Sequence, residues 1–270
     1  MGVLKGFYRF LRDLYNNKSL LITLAKNDFR EQYLGSHLGM LWAILRPSIF
    51  MLTVWFIFSV GFKRHIENEE IPFVLYLMCG YIPWFFFSDA VNGGMNSIVN
   101  NKFLVKKVNF RVSILPLVKI TSVFFLHLIF IGILIAVFLL YGYEPSIYWL
   151  QLPFYTLMML ILVLGIGWLV SALRVFTKDV SQIVGVILQL GFWVTPIFWS
   201  IEKVPKKYMY ILKLNPMIFI IDGYRNSFIN HVWFWETYTY TPYFLIVTLF
   251  FLVVGAIVFR KLRPHFGDVL

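Results

Sequence analysis

The chain has 270 residues, of which 60% are hydrophobic and 14% charged, and its net charge is +11. A soluble enzyme of ordinary composition is excluded, because soluble domains are only about 45–50% apolar. An intrachain disulfide is excluded as well, because Cys79 is the only cysteine. We expect one compact membrane domain without a separate soluble domain.

The first segment, residues 1–37, predicts an amphipathic helix on the membrane surface. Leu4, Phe7 and Leu11 follow helical spacing, while Lys5 and Arg9 lie off that face. Such a helix lies in the headgroup plane rather than across it. Ser19 is a candidate N-cap for a second short helix to about residue 33. The segment is interpreted either as an anchor or as a gate at the cytoplasmic mouth.

Six long apolar stretches follow in chain order. They comprise residues 38–62, 72–91, 113–141, 151–176, 180–201 and 242–259. Each holds about 18 or more residues, enough to cross a hydrocarbon core of roughly 30 Å. Peptide groups in lipid must be hydrogen-bonded within the chain, so these stretches should be helices. The predicted fold is an all-α membrane protein with six transmembrane helices, residues 38–259, and a cytoplasmic tail, residues 260–270.

The distribution of charge predicts that both termini are cytoplasmic. With that topology, 15 of the 24 lysines and arginines are inside, seven are outside, and Arg46 and Lys119 lie within spans. Seven acidic residues neutralise the outer loops, so the excess positive charge faces the anionic inner leaflet. Membrane lipids, and not nucleic acid, are therefore the expected partners of this charge.

Two connecting segments carry their own signals. Residues 92–112 form a polar, basic cytoplasmic connector with a short helical pattern, which is either a solvated loop or a docking helix. The outer segment, residues 202–241, holds two apolar runs on either side of Asn215-Pro216, and each run is too short to span. Two short helices that dip back into the membrane, a re-entrant hairpin at an outer pore mouth, fit this pattern.

The sequence lacks the motifs of an energy-coupling site. There is no G-x-x-x-x-G-K-[ST] motif, so we expect no ATP bound through a P-loop. The five histidines are scattered and predict no metal site. Asp89 is the only carboxylate in a predicted span, which disfavours coupling to an ion gradient. If the chain transports a substrate, its energy should come from a partner.

Four local patterns occur in a fixed order along the chain. They are Asp28-Phe29-Arg30-Glu31-Gln32-Tyr33 followed by Gly39-x-x-Trp42; Gly80-Tyr81-Ile82-Pro83-Trp84; Phe192-Trp193 followed by Thr195-Pro196-Ile197; and Asn215-Pro216 with Tyr224-Arg225. Together they resemble the membrane subunit of bacterial ABC-type exporters of polysaccharides and polyol phosphates, a family that exports O-antigen and wall teichoic acid. The resemblance runs from about Asp28 to Asp268.

The resemblance implies a homodimer in the bacterial cytoplasmic (inner) membrane with two cytoplasmic ATP-binding subunits. ATP and Mg would be held by those partners, so this chain would bind no cofactor and would not itself be an enzyme. The substrate would be a polyprenyl-diphosphate-linked glycan. The implied ATPase-coupling residues are Asn100, Asn101, Lys102, Lys106, Lys107, Phe110 and Arg111. The implied outer gate comprises Asn215, Pro216, Tyr224 and Arg225.

A substrate path is the last predicted site. Arg46 lies about 12 Å into the first span at ~1.5 Å per residue, where it either snorkels to the inner headgroups or contacts the diphosphate. The aromatic residues either form an interfacial belt or line a sugar path. Pro47 and Pro196 either bend a pore-lining helix or are ordinary prolines of membrane helices. The candidate path residues are Trp42, Arg46, Trp55, Phe192, Trp193 and Phe198.

The leading hypothesis is ATP-driven export of a lipid-linked polysaccharide such as O-antigen. Wall teichoic acid, or another secondary cell-wall polymer, is an alternative cargo. Export of a small molecule or lipid by the same architecture is a second alternative. A membrane-embedded glycosyl- or acyltransferase is a third, and the absence of an acid or histidine cluster argues against it.

Overall fold

The computed structural model describes residues 18–32, 37–61, 71–106, 111–236 and 241–270. Regular structure in these ranges is entirely helical, which confirms the predicted all-α class. The amphipathic pattern of residues 1–17 lies outside the described residues. The second short helix is present as α1.

Eleven α-helices are found in the described ranges. They are α1 (Lys18–Glu31), α2 (Leu41–Phe56), α3 (Phe73–Asn100), α4 (Lys102–Val105), α5 (Leu115–Leu140), α6 (Leu152–Phe176), α7 (Asp179–Val194), α8 (Lys206–Leu212), α9 (Pro216–Arg225), α10 (Thr241–Leu262) and α11 (Phe266–Val269). A π-helical turn extends α2 (Ile57–Gly61), and another extends α9 (Asn226–Asn230).

Five helical segments are long and apolar enough to cross a membrane. They are Leu41–Gly61, Phe73–Asn100, Val112–Leu140, Ile147–Phe176 and Thr241–Val269, with 21 to 30 residues each. They correspond to the first, second, third, fourth and sixth predicted spans. The second of these segments, α3, continues beyond residue 91 to Asn100, so the first half of the connector belongs to this helix.

The fifth predicted span is shorter than expected. We predicted a helix over residues 180–201, but α7 ends at Val194 after 16 residues. Pro196 disfavours helical backbone at the preceding residue, and Thr195 is extended, with φ −75° and ψ 137°. The proline therefore ends the helix instead of bending it. Sixteen residues cover about 24 Å at ~1.5 Å per residue, less than a hydrocarbon core.

Helix α3 is the centre of the bundle. It packs against α5, α6 and α9. In its most apolar stretch 78% of the residues are buried, compared with 22% in the corresponding stretch of α2 and its π-helical extension. Side chains buried all round, such as Leu75 and Met78, fill this core. Because α3 contacts both α9 and α4, it positions the hairpin and the connector that are described below.

Glycines bring α6 and α10 into close contact. A Cβ atom on Gly165 would meet the backbone of Leu252, and a Cβ atom on Gly255 would meet the carbonyl oxygen of Gly165. Small residues at a helix crossing allow this approach, which is a common way of packing helices in membranes.

Helix α1 is held against the start of α5. Ala25 is buried with Ile114 and Val118. The Lys119 ammonium donates to both carboxylate oxygens of Asp28 at 3.0 Å.

Candidate functional site

Arg225 is the centre of a junction between α3, α9 and the chain after α7. Its side chain is almost fully buried, and its Cζ lies 3.8 Å from the centroid of the Tyr76 ring at the start of α3. Its Nη2 donates to the Ile197 carbonyl oxygen at 2.9 Å. One guanidinium thus joins α3, the chain after α7 and the end of α9, three segments that are far apart in sequence.

Gly80 allows the Ile197 backbone to reach this junction. A Cβ atom at position 80 would lie 3.0 Å from both the Cα and the carbonyl oxygen of Ile197, and 3.2 Å from Nη2 of Arg225. Only glycine therefore fits without displacing the acceptor that Arg225 uses. Three of the four local sequence patterns, those that contain Gly80, Pro196 and Arg225, therefore meet at this junction.

Asn215 connects the outer hairpin to the end of α7. Its Oδ1 accepts from the Met217 amide at 3.0 Å and caps α9, which begins at Pro216. Its Nδ2 donates to the Thr195 hydroxyl at 2.7 Å. Asn215, just before α9, is therefore hydrogen-bonded to Thr195, just after α7.

Tyr224 anchors the hairpin to α5 and α6. Its hydroxyl lies 2.9 Å from Nε2 of His127 on α5 and 3.1 Å from the Thr156 hydroxyl on α6. All three side chains are buried. His127 and Thr156 are site residues that sequence reasoning missed, since a single histidine in an apolar span carries no signal of its partner.

A cavity of about 300 Å³ lies beside Arg225. Asp222 faces it, with Oδ1 3.8 Å from Nη1 of Arg225. The lining combines charged, amide and aromatic side chains, which is typical of a ligand pocket.

Aromatic residues of the predicted path form one cluster between α2, α3 and α7. The rings of Phe192, Trp193 and Phe198 have centroids 5.3 to 5.7 Å apart. Phe192 and Phe198 are buried within the subunit, whereas Trp193 is 53% exposed. Of these three rings, Trp193 is the one exposed at the surface of the subunit.

The remaining path residues lie on α2. Arg46 is exposed, and its guanidinium lies 5.5 Å from the centroid of the half-buried Trp42 ring. Trp55, near the other end of the helix, is half-buried against the main core. The ring contact recorded for Arg46 is therefore with Trp42, whereas the aromatic trio lies at the end of α7 and in the residues just after it.

The cytoplasmic connector presents exposed residues on a short turn. Lys102 and Lys106 are exposed on either side of Phe103, whose side chain is 60% exposed. Asn101 donates to the Ser97 carbonyl oxygen at 2.9 Å and ties the turn to the end of α3. Asn100 and Arg111 are also exposed. Lys107 and Phe110 lie outside the described residues.

Phe103 is the connector residue that sequence reasoning missed. An exposed ring between two lysines is a small apolar contact area surrounded by charge, which suits a protein partner. Its signal in the sequence was a lone phenylalanine in a polar segment.

Comparison with known proteins gives relatives along nearly the whole chain. One is the O-antigen export system permease protein RfbA of Klebsiella pneumoniae, 29% identical over 252 residues, 93% of this chain and 95% of that protein. Another is the protein of the same name from Myxococcus xanthus, 29% identical over 225 residues, 83% of this chain and 85% of that protein. The polysialic acid transport protein KpsM of Escherichia coli is 26% identical over 243 residues, 88% of this chain and 91% of that protein.

The sequence model of one membrane family covers most of the chain. It matches residues 19–229, from α1 to the π-helical turn after α9, and so includes the connector and the outer junction. The protein belongs to the ABC-2 type transporter family of membrane proteins.

Proposed function

We propose that this chain is the transmembrane subunit of an ATP-driven exporter that moves a lipid-linked polysaccharide across the bacterial inner membrane. The observation that carries the proposal is the match, over more than four fifths of each chain, to permeases named for O-antigen export and to a transport protein for polysialic acid. ATP and Mg are bound by a separate ATPase subunit.

The connector is the proposed contact with that ATPase. Exposed Lys102, Phe103 and Lys106 support this role, because they combine an apolar anchor with positive charge on the side that the charge distribution assigns to the cytoplasm. Asn100, Asn101, Lys107, Phe110 and Arg111 complete the proposed coupling segment.

A second copy of this chain is the proposed partner within the membrane. The faces of α2 and α7 support this, because their large apolar side chains are exposed and these helices pack little within the subunit. In the proposed assembly each subunit crosses the bilayer six times, α7 being the short fifth crossing. Both termini are cytoplasmic.

The pore is proposed to run along these two helices. Trp42, Arg46, Trp55 and Trp193 are then available to the substrate in the dimer, and Phe192 and Phe198 support Trp193 from behind. The hairpin of α8 and α9 is proposed to dip into the outer leaflet and to gate the outer mouth, with Asn215, Pro216, Tyr224 and Arg225 holding it in place.

Reconstitution tests the proposal. The chain is purified with its ATPase, placed in proteoliposomes, and supplied with polyprenyl-diphosphate-linked glycan on the ATPase side. We expect the glycan to become accessible to a glycosidase on the opposite side only when ATP is present. Equal transfer by the chain without its ATPase contradicts the proposal.

Arg46→Gln separates the two interpretations of Arg46 in the same assay. If Arg46 contacts the diphosphate, Arg46→Gln lowers export at unchanged protein yield, since a neutral amide does not replace a forked cation on phosphate oxygens. Full export by Arg46→Gln assigns Arg46 to snorkelling alone.

A further inference from the structure

The outer cavity is lined by polar side chains beyond those that hold the gate hairpin, among them Glu202, Asn226 and Asn230. It lies between the start of α3, the 3-10 turn at Ile201–Lys203, α9 and its π-helical turn, and the start of α10. Its charged and amide side chains are Glu202, Lys213, Asn215, Asp222, Arg225, Asn226 and Asn230. A chain segment that only bends needs no such set of hydrogen-bonding groups.

The charges around the cavity are balanced. Arg225 is bound to the Ile197 carbonyl oxygen and the Tyr76 ring, and its Nη1 is 3.8 Å from Asp222. Lys213 and Glu202 line the same cavity and add one charge of each sign. Two cations therefore face two carboxylates, and a phosphate ion would find no cation that is not already opposed. The lining favours a neutral ligand.

The amides supply both hydrogen-bond donors and acceptors. Asn230 Nδ2 donates to Asn226 Oδ1 at 2.9 Å. This bond leaves the amide hydrogens of Asn226 and the carbonyl oxygen of Asn230 for a ligand, as far as the described residues show. Hydroxyl groups, which donate and accept at once, match this pair.

Aromatic rings complete the lining. Tyr76, Tyr155, Phe219 and Tyr243 border the cavity. Tyr243 donates its hydroxyl hydrogen to the Leu214 carbonyl oxygen at 2.6 Å, which fixes its ring at the edge. Rings beside amides and carboxylates offer an apolar face and polar edges together, and a sugar presents the same two kinds of surface.

The size of the cavity limits the ligand. A volume of about 300 Å³ is near the lower limit of ligand pockets and corresponds to roughly ten water molecules at ~30 Å³ each. One saccharide unit fits this volume, and a polymer segment does not. We infer that the outer cavity is a binding site for a single neutral sugar unit of the exported glycan, an inference that rests on the proposed function.

Binding is tested on the full chain with its ATPase in lipid nanodiscs. The probes are the methyl glycosides of glucose, galactose, mannose and N-acetylglucosamine at millimolar concentration, observed by saturation-transfer NMR. Glycerophosphoethanolamine is added as a competitor that represents a lipid headgroup, and inorganic phosphate as one that represents an anion. We expect at least one glycoside to bind and neither competitor to displace it.

Two variants locate the site, and a third is their control. Ile229 lines the cavity, so Ile229→Trp should fill it and weaken glycoside binding at least tenfold. Ile211 is exposed on α8 and does not line the cavity, so Ile211→Trp should leave binding within twofold. Asn230→Ala, at an exposed edge position, should weaken binding about 3- to 10-fold by the loss of one hydrogen bond.

Three results overturn the inference: no glycoside binds, Ile229→Trp and Asn230→Ala both bind as wild type does, or a competitor displaces the glycoside. Export is measured separately in the proteoliposome assay. A wild-type complex that exports glycan but binds no glycoside overturns this inference alone. A complex that exports no glycan overturns the proposed function.

Discussion

Arg225 lies over the ring of Tyr76, with its guanidinium carbon 3.8 Å from the ring centroid. The two residues are 149 positions apart in sequence, and the same guanidinium donates to Ile197 at 2.9 Å. The contact fastens the end of the outer hairpin to the first turn of the central helix. The hairpin is therefore attached to the core by a buried cation rather than by apolar packing alone.

Replacing Arg225 should loosen the hairpin. Arg225→Gln removes a charged hydrogen bond, about 1.5–3 kcal/mol, and a cation–π contact, about 0.5–2 kcal/mol. We expect a loss of roughly 2–4 kcal/mol in the free energy of unfolding, measured by thermal unfolding in detergent, and lower export. Arg225→Lys keeps the charge but lacks the forked guanidinium, so its free energy of unfolding should lie between those of the wild type and Arg225→Gln. Wild-type stability for Arg225→Gln contradicts this assignment.

Gly80→Ala should disturb the same junction from the opposite side. The added methyl would lie 3.0 Å from the Ile197 carbonyl oxygen, so either α3 or the acceptor of Arg225 must move. We expect a loss of about 1–3 kcal/mol, the range for overpacking a well-filled core, and reduced export at similar protein yield. The measurement is again thermal unfolding, together with the proteoliposome assay.

Gly132→Ala is the matched control for Gly80→Ala. It makes the same change inside α5, where a Cβ atom would meet nothing within 4 Å. Because alanine favours helix over glycine, this variant should be as stable as wild type or slightly more so. Equal losses in the two variants would mean that helix flexibility, and not the contact with Ile197, is what Gly80 provides.

The helical spans could be predicted from sequence because apolar length is a local property. The stretches at 113–141 and 151–176 end within two residues of α5 and α6. The break at Asn215-Pro216 separates α8 from α9, as the proline pattern predicted. How deeply these two helices enter the membrane stays a prediction.

The errors came from features that apolar length does not measure. Helix α3 continues through residues 92–100 because this stretch still packs on the bundle, with Met95 and Ile98 buried. Helix α7 stops where the proline restricts Thr195. The pairs Tyr224–His127 and Arg225–Tyr76 join residues 97 or more positions apart, and no periodicity along one helix contains them.

The ion pair of Asp28 and Lys119 should hold α1 on the bundle. Both carboxylate oxygens accept at 3.0 Å, and both side chains are about one fifth exposed. Asp28→Asn should cost about 1–2 kcal/mol, between the values of exposed and buried pairs. Faster proteolysis within α1 and a lower thermal midpoint would report the loss. The exchange of the two residues, Asp28→Lys with Lys119→Asp, should restore part of it.

Glu31→Gln is the control for the Asp28 variant. Glu31 is an exposed acid on the same helix, so its neutralisation should change stability by less than about 0.5 kcal/mol. If Asp28→Asn and Glu31→Gln behave alike, α1 is held by the packing of Ala25 on α5 and the ion pair contributes nothing measurable.

Charge reversal on the connector should separate this subunit from its ATPase. Lys102→Glu with Lys106→Glu places two acids beside the exposed Phe103, and Phe103→Ala removes the apolar anchor. Charges at an interface rim act mainly on the rate of association, so the reversal should weaken copurification more at low salt than at high salt. The loss for Phe103→Ala should vary little with salt, because its contact is apolar.

Arg260→Glu with Lys261→Glu is the matched control, since it reverses two exposed cations at the end of α10. Equal ATPase yields from both double variants would show that general positive charge, and not the connector, recruits the partner.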